Sequence, residues 1–154
     1  MMKDKLIKII ASCCYIGYIP LGGGTVASFA GIFLYLLIAR SFVVYLVTLT
    51  SLIIIGFLVS RKAERLFGGD DSPKIVIDEL AATLIVFFQI SPTFKLMTIG
   101  FIVFRLLDVI KPYPANKVED AHSKASVMGD DLIVAIYTNI ILQIIIFTPR
   151  LLGL

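Results

Sequence analysis

The chain has 154 residues, of which 58% are hydrophobic and 16% are charged, and its formal net charge is +3. Soluble domains are roughly half apolar and a quarter charged, so this composition excludes an ordinary soluble protein and predicts an integral membrane protein with a single domain, residues 1–154. The basic residues are spread along the chain instead of forming one patch, and they give no indication of nucleic-acid binding.

Residues 1–19 combine lysines with apolar residues and are followed by a glycine-rich break, Pro20–Thr25. Lys8 interrupts the apolar run and no small-residue cleavage site follows it, which argues against a signal peptide. We therefore predict an amphipathic N-terminal helix that lies along the membrane surface. Cys13 and Cys14 are adjacent and lack the spacing of a metal site, so we interpret them as small apolar residues of this helix.

Five apolar segments follow, and they predict an all-α bundle of membrane helices. The segments are Val26–Ala39, Phe42–Ser60, Ile75–Ile90, Phe94–Ile110 and Leu132–Phe147. One helix over residues 26–60 would be about 52 Å long, which exceeds a hydrocarbon core of roughly 30 Å. We therefore predict a tight hairpin at Arg40 and Ser41. The stretches Arg61–Lys74 and Lys111–Asp130 are predicted to be polar loops.

Charge predicts the orientation of these segments. A cytoplasmic N-terminus puts ten Lys and Arg residues on the inner side and three on the outer side, which is the asymmetry typical of cytoplasmic loops. We therefore predict a multi-pass protein of the cytoplasmic membrane. The same topology brings the embedded polar groups to one depth, at the cytoplasmic ends of the segments. They are Asp78 and Glu79 in the third segment, Arg105, Asp108 and Lys111 at the end of the fourth, and Asp130 and Asp131 before the fifth.

Charged groups from several helix ends at one level predict a single site that faces the cytoplasm. Carboxylates crowded in a poorly hydrated place either change their protonation or bind a cation. A set of oxygen ligands favours Mg²⁺, Mn²⁺ or Ca²⁺ over zinc. Arg105 and Lys111 beside such a cation would suit a phosphate. Gly22–Thr25 precede a predicted helix, whose first N–H groups can bind an anion.

Other interpretations of the same residues stay open at this point. Asp78 and Asp130 can serve only as helix caps, and adjacent carboxylates point about 100° apart on a helix, so one of each pair can be structural. His122 is the only histidine, and it either binds substrate or has no role. Intramembrane carboxylates also mark ion paths, so a small cation transporter or channel subunit is the alternative function.

The motifs resemble those of a known family. They are GGGTVAS from Gly22, the pair Asp78-Glu79, FRLLDVIKPYP from Phe104 and the late pair Asp130-Asp131. Through most of its length the chain is similar to the phosphatidylglycerophosphatase A family, small membrane phosphatases of bacterial lipid synthesis. The resemblance implies an all-helical fold and a phospholipid substrate. It also implies Mg²⁺-dependent hydrolysis of phosphatidylglycerophosphate to phosphatidylglycerol and phosphate, with a phosphatase of another phospholipid headgroup as the neighbouring alternative.

On this basis we expect three groups of site residues. The metal ligands would be Asp78, Glu79, Asp130 and Asp131. The substrate would be held by Gly24, Thr25, Ser28, Arg105, Lys111 and His122. The catalytic set would be Asp78, Glu79, Arg105, Asp108, Lys111 and Asp131. Asp108 would be either a metal ligand or the partner of Arg105. The nucleophile would be an activated water, with direct attack of a carboxylate on phosphorus as the rival.

The chain departs from the family pattern only at small residues. Ala27 and Ala82 stand where glycine is common in the family, Ser123 and Lys124 replace glycines after the histidine, and Val134-Ala135 replaces Ala-Gly. The charged groups are all present. We therefore expect the departures to alter loop geometry and substrate preference more than the chemistry.

Overall fold

The computed structural model describes residues 2–20, 22–69, 72–120 and 126–151. Within these ranges every regular element is a helix, which confirms the predicted all-α class. The helices are α1 (Met2–Ala11), α2 (Gly23–Ile38), α3 (Phe42–Phe67), α4 (Ile77–Val86), α5 (Phe94–Ile110), α6 (Ala115–Asp120) and α7 (Ser126–Leu151), with a 3₁₀ turn at Ile16–Tyr18 between α1 and α2.

The number of membrane-spanning helices is smaller than predicted. Among the described residues, two helices are long and apolar enough to cross a membrane, Phe42–Phe67 and Met128–Thr148. The prediction of five spanning segments is therefore wrong in number. The physical reason is length, because α2 has 16 residues and α4 has 10, which correspond to about 24 Å and 15 Å against a core of about 30 Å.

The third apolar segment, Ile75–Ile90, shows why apolar composition is a poor guide to span. Its helix α4 stops at Val86 and the chain then turns, although Phe87 and Ile90 are almost fully buried. Irregular backbone at membrane depth is tolerated only where other groups satisfy its carbonyls. Three side chains of the surrounding helices do so: Tyr35 donates to Ile90 O at 2.6 Å, Tyr45 donates to Leu84 O, and Asn139 donates to Val86 O and Phe88 O at 3.0 and 2.9 Å.

Helix α4 lies at the centre of the bundle, in contact with α2, α3 and α7. Its apolar residues include Leu84 and Val86, which are 0% and 1% exposed. Close approach to α2 depends on Gly31, where a β-carbon would lie 2.7 Å from Cβ of Thr83. A central helix surrounded by protein needs no lipid-facing surface, so α4 can carry carboxylates at its N-terminal end.

The loop predicted at Arg61–Lys74 is partly wrong, because α3 continues through Phe67 and ends at Gly68, whose φ is 94°. The extension makes α3 about 39 Å long, which exceeds a 30 Å core.

The predicted N-terminal helix over residues 1–19 is confirmed only in its first part, as α1, which packs against α3 through an ion pair between Asp4 and Lys62 at 3.0 Å. The last turns of α3 are helical because α1 covers one side of them. The interpretation of Cys13 and Cys14 as residues of the N-terminal helix is wrong, because both follow its end with positive φ.

Two further sequence predictions concern the connections. The hairpin at Arg40 and Ser41 is confirmed, since Ser41 lies between α2 and α3 and its Oγ accepts the N–H of Val44 at 3.4 Å. The polar loop predicted at Lys111–Asp130 is wrong in part, because it contains α6 and because α7 begins at Ser126. Polar composition here marks helices at the surface of the bundle and not an irregular loop.

Candidate active site

Four helix ends meet at one end of the bundle and bring their charged residues together. Asp78 and Glu79 lie in the first turn of α4, and Asp131 lies in the second turn of α7. One carboxylate oxygen of each of these residues lies within 4.8 Å of the other two. In this group of three (the carboxylate triad), Asp78 is 8% exposed and Asp131 6% exposed, so both are largely out of water, and Glu79 is half-buried.

Helix α2 reaches the triad through Gly24. A β-carbon at Gly24 would lie 2.1 Å from Oε1 of Glu79, which real β-carbons do not tolerate. The carboxylate of Glu79 therefore lies directly against the α-carbon of this glycine. The predicted role of the glycine run was to offer backbone N–H groups, and the geometry adds a second reason for glycine at this position.

Helix α5 contributes its last turns. Arg105 and Asp108 form an i,i+3 ion pair at 3.0 Å, and Asp108 is also within hydrogen-bonding reach of Asp131. Lys111 follows the helix in a left-handed conformation with φ 44°, and its Nζ lies 2.6 Å from Oδ2 of Asp130. Asp130 is thus paired with Lys111, whereas the expected metal set had grouped it with the triad.

Five carboxylates and two cations of the described chain therefore lie in one network. Acidic groups outnumber basic groups, and burial deprives the carboxylates of solvating water. Such an arrangement is unfavourable unless carboxylates take up protons or a further positive charge is bound. Val76 and not Asp78 is the N-cap residue of α4, but Asp78 accepts the first-turn N–H of Glu79 at 3.0 Å, so it also supports the start of the helix.

Unsatisfied polar atoms point in the same direction. Oε2 of Glu79, Oδ1 of Asp130 and Nη1 of Arg105 are buried without a hydrogen-bond partner. Arg105 Nη1 lies close to the carboxylate of Asp108 but without hydrogen-bond geometry. Buried charged atoms are normally satisfied. Two carboxylate oxygens and one guanidinium nitrogen without hydrogen-bond partners fit a site that receives a cation and an anion. The carboxylate oxygens of the triad could hold a metal ion.

Two of the predicted substrate-binding residues, Thr25 and Ser28, lie in the first turns of α2. Ser28 is fully buried and its hydroxyl donates to the carbonyl of Gly24 at 3.0 Å, so it supports the first turn of α2. Thr25 is half-buried on the same turn. His122 lies outside the described residues, and its predicted role stays a prediction.

Two contacts near the site were not foreseen from the sequence. Val76, just before α4, donates its N–H to Ala11 O at 2.9 Å and accepts the thiol of Cys13 at 3.7 Å. Burial raises the pKa of the Cys13 thiol to about 12, with Glu79 as a further cause. These contacts join residues more than sixty positions apart, and no local motif signals them. They tie the N-terminal helix to the start of α4 and so to Asp78.

Comparison with known proteins gives a consistent result. Residues 9–146 match the family model described as Phosphatidylglycerophosphatase A. A protein of Bacteroides thetaiotaomicron named "Putative phosphatidylinositol-3-phosphatase" is 27% identical over 139 residues, covering 83% of this chain and 86% of that protein. Phosphatidylglycerophosphatase A of Escherichia coli (strain K12) is 29% identical over 133 residues, covering 84% of this chain and 77% of that protein. No solved structure matches the chain.

Proposed function

The chain belongs to the phosphatidylglycerophosphatase A family, and from this premise we propose that it is a membrane-bound lipid phosphatase that hydrolyses phosphatidylglycerophosphate to phosphatidylglycerol and phosphate. The observation that carries the proposal is the carboxylate triad of Asp78, Glu79 and Asp131, whose oxygens lie within 4.8 Å of one another beside Arg105 and Lys111. Acidic metal ligands next to basic phosphate ligands are what phosphoryl transfer requires.

The cation that fits this site best is Mg²⁺. Its ligands in proteins are oxygens, and it is usually bound by a few carboxylates together with water and substrate phosphate. The triad supplies only carboxylate oxygens, and Oε2 of Glu79 is buried without a donor. A divalent cation held by Asp78, Glu79 and Asp131 would supply Lewis-acid polarisation of the phosphate and lower the pKa of a water nucleophile.

The remaining residues hold and orient the substrate. Arg105 presents a planar guanidinium suited to two phosphate oxygens, and Asp108 fixes its position through their 3.0 Å ion pair. Lys111 adds a second positive charge, fixed by Asp130 at 2.6 Å. As a water oxygen bonds to phosphorus and the P–O bond to the glycerol breaks, these cations stabilise the charge on the phosphate. The departing glycerol oxygen takes up a proton.

The position of the site suits a lipid substrate. The charged groups lie at the ends of α4, α5 and α7, and α7 is long and apolar enough to span the bilayer. A phospholipid presents its phosphate at the same level while its chains stay in the hydrocarbon core. We propose that this level is the cytoplasmic face of the cytoplasmic membrane, as the distribution of Lys and Arg residues predicts.

Purified protein in detergent tests the proposal through phosphate release from phosphatidylglycerophosphate. We expect release with Mg²⁺, loss of release with EDTA, and loss with Asp131→Asn. Asp4→Asn is the matched control, because Asp4 lies on α1 and its carboxylate pairs with Lys62 of α3. Activity that survives both EDTA and Asp131→Asn would remove the metal site from the mechanism.

A second headgroup has specific support from the Bacteroides thetaiotaomicron relative, whose name specifies phosphatidylinositol 3-phosphate. Both lipids carry a phosphate monoester that Arg105 and Lys111 could bind. The two are separated by kcat/KM on each lipid in the same micelles. We expect the larger value for phosphatidylglycerophosphate, and a larger value for phosphatidylinositol 3-phosphate would reassign the substrate but not the chemistry.

The transporter alternative gains no support from polar groups in the outer part of the bundle. The Asn139 amide donates to the carbonyls at the end of α4, and Thr138 donates to Val134 O within its own helix. These groups satisfy the backbone and do not extend the charged network as a path. Cation flux in liposomes without phosphate release would restore this alternative.

A further inference from the structure

An apolar groove of about 310 Å³ runs between α5 and α7. Its lining residues are Leu107, Tyr137, Ile140 and Ile141. It opens to the outside of the bundle, where Ile140 is 50% exposed. A groove on the lipid-facing side of a spanning helix must be occupied by an apolar group, because neither water nor an unpaired polar group is stable in the hydrocarbon core.

The groove lies on the same two helices as the charged residues of the proposed active site. Leu107 immediately precedes Asp108 on α5, and the α7 residues lie on the helix that carries Asp130 and Asp131. With a rise of 1.5 Å per residue, Tyr137 lies about 9 Å and Ile141 about 15 Å along α7 from Asp131. The hydrocarbon core of one leaflet is also about 15 Å thick. The α7 residues that line the groove therefore lie about 9 to 15 Å from the level of Asp131, within the thickness of one leaflet.

Tyr137 marks the boundary between the polar and apolar parts. Its hydroxyl donates to the carbonyl of Tyr113 at 3.1 Å, in the turn that follows Lys111. Its ring lines the groove. A tyrosine with a bonded hydroxyl and an apolar ring is typical of the level where headgroups meet hydrocarbon.

We propose that this groove binds one acyl chain of the phospholipid substrate while its phosphate occupies the carboxylate and arginine network. The inference rests on the proposed function, because it assumes that a lipid phosphate binds at Arg105 and Lys111. An acyl chain fits better than a partner helix, since only four residues line the space and both of its helices also carry charged residues of the proposed site. The groove thus selects for a substrate with long chains and sets its orientation.

The first experiment fills the groove and compares two substrates. Ile140→Trp places a large ring in the groove, and Ile54→Trp on α3 is the matched control, with 59% exposure outside the groove. Each protein is assayed with diacyl phosphatidylglycerophosphate in micelles and with the deacylated, water-soluble headgroup. We expect Ile140→Trp to raise KM for the diacyl lipid about tenfold and to leave kcat/KM for the deacylated substrate unchanged. We expect Ile54→Trp to change neither value.

The two substrates separate the possible failures. A wild-type protein that hydrolyses neither substrate contradicts the proposed function, and the groove inference falls with it. A wild-type protein that is active, with Ile140→Trp and Ile54→Trp giving the same KM for the diacyl lipid, contradicts the groove inference alone. Activity of Ile140→Trp on the deacylated substrate also reports that the variant is folded.

A second measurement needs no variant. A diacyl phosphatidylglycerophosphate with a diazirine in the middle of one chain is photolysed with wild-type protein, and the labelled peptides are identified by mass spectrometry. We expect labelling of the α7 peptide that contains Tyr137 and Ile141. Labelling confined to α3 would overturn the inference. It would also be overturned if the protein is a dimer and Ile140→Trp separates the two copies without changing KM.

Discussion

Gly24→Ala is the sharpest test of the contact between α2 and the carboxylate triad. The new β-carbon would lie 2.1 Å from Oε1 of Glu79, and ordinary van der Waals contact begins near 3.4 Å. The carboxylate of Glu79 must therefore move by about 1.3 Å. Because a misplacement of 1 Å in a catalytic group can reduce the rate about 100-fold, we expect a loss of this order in kcat/KM.

The same substitution should not destabilise the fold. Only the flexible end of the Glu79 side chain meets the new methyl group, and alanine is favoured over glycine in a helix by up to about 1 kcal/mol. We therefore expect an unchanged or higher melting temperature in detergent together with a weaker affinity for Mg²⁺. Both are measured on the same preparation that is used for phosphate release.

Gly22→Ala is the matched control. Nothing lies within 4 Å of a β-carbon at Gly22, and its φ of −171° is extended backbone that any residue adopts. The double variant Gly24→Ala/Glu79→Asp shortens the side chain that clashes, so it should lose no more activity than Glu79→Asp alone. Equal activity and Mg²⁺ affinity in Gly24→Ala and Gly22→Ala would refute the placement of Glu79 against α2.

Three further predictions concern the elements around the site. Asn139→Leu leaves two buried carbonyls at the end of α4 without their donor, so we expect a loss of about 2 kcal/mol in unfolding free energy by denaturant titration, and no loss would contradict the observed bonds. Gly17→Ala places a β-carbon 2.2 Å from the backbone oxygen of Lys74, so the backbone before α4 must shift and the melting temperature should fall with activity; a fully active, equally stable variant would count against this packing. Burial raises the pKa of Cys13 to about 12, so at pH 7 its neutral thiol should resist maleimide, whereas the exposed Cys14 should react. Equal labelling of the two cysteines, measured by mass spectrometry, would contradict the burial of Cys13.

Part of this fold is predictable from local pattern. The helices, the turn at Ser41 and the lysine-bearing N-terminal helix follow from periodicity, capping residues and composition. The length of α4 does not follow from local pattern. Its end at Val86 depends on donors from Tyr35, Tyr45 and Asn139, which come from three other helices. Apolar composition cannot distinguish a helix that spans lipid from a shorter one surrounded by protein.

The candidate site is likewise predictable from the sequence only in part. The topology predicted from charge places the acidic and basic residues at one level, and the structure brings them together at one end of the bundle. The partners of individual residues were not predictable, because they depend on helix rotation. Asp130 pairs with Lys111 while its neighbour Asp131 joins Asp78 and Glu79. Their roles in metal and substrate binding stay predictions.

The departures from the family pattern have a structural interpretation. Ala27, Ala82, Val134 and Ala135 are all 0% exposed, on three helices that pack together at the centre of the bundle. Larger side chains therefore stand in the packed interior where glycine or alanine is common in the family. We expect them to alter the spacing of the helices and, with it, the width of the lipid site.

The central claim is that Asp78, Glu79 and Asp131 together bind a divalent cation. Mn²⁺ tests it directly, because it favours the same oxygen ligands as Mg²⁺ and its free ion has a strong EPR signal. Titration of purified protein should show loss of free-ion signal on binding to the wild type and to Asp4→Asn, and much weaker binding to Asp131→Asn. Equal Mn²⁺ affinity in the wild type and Asp131→Asn, or no binding to the wild type, would contradict the account.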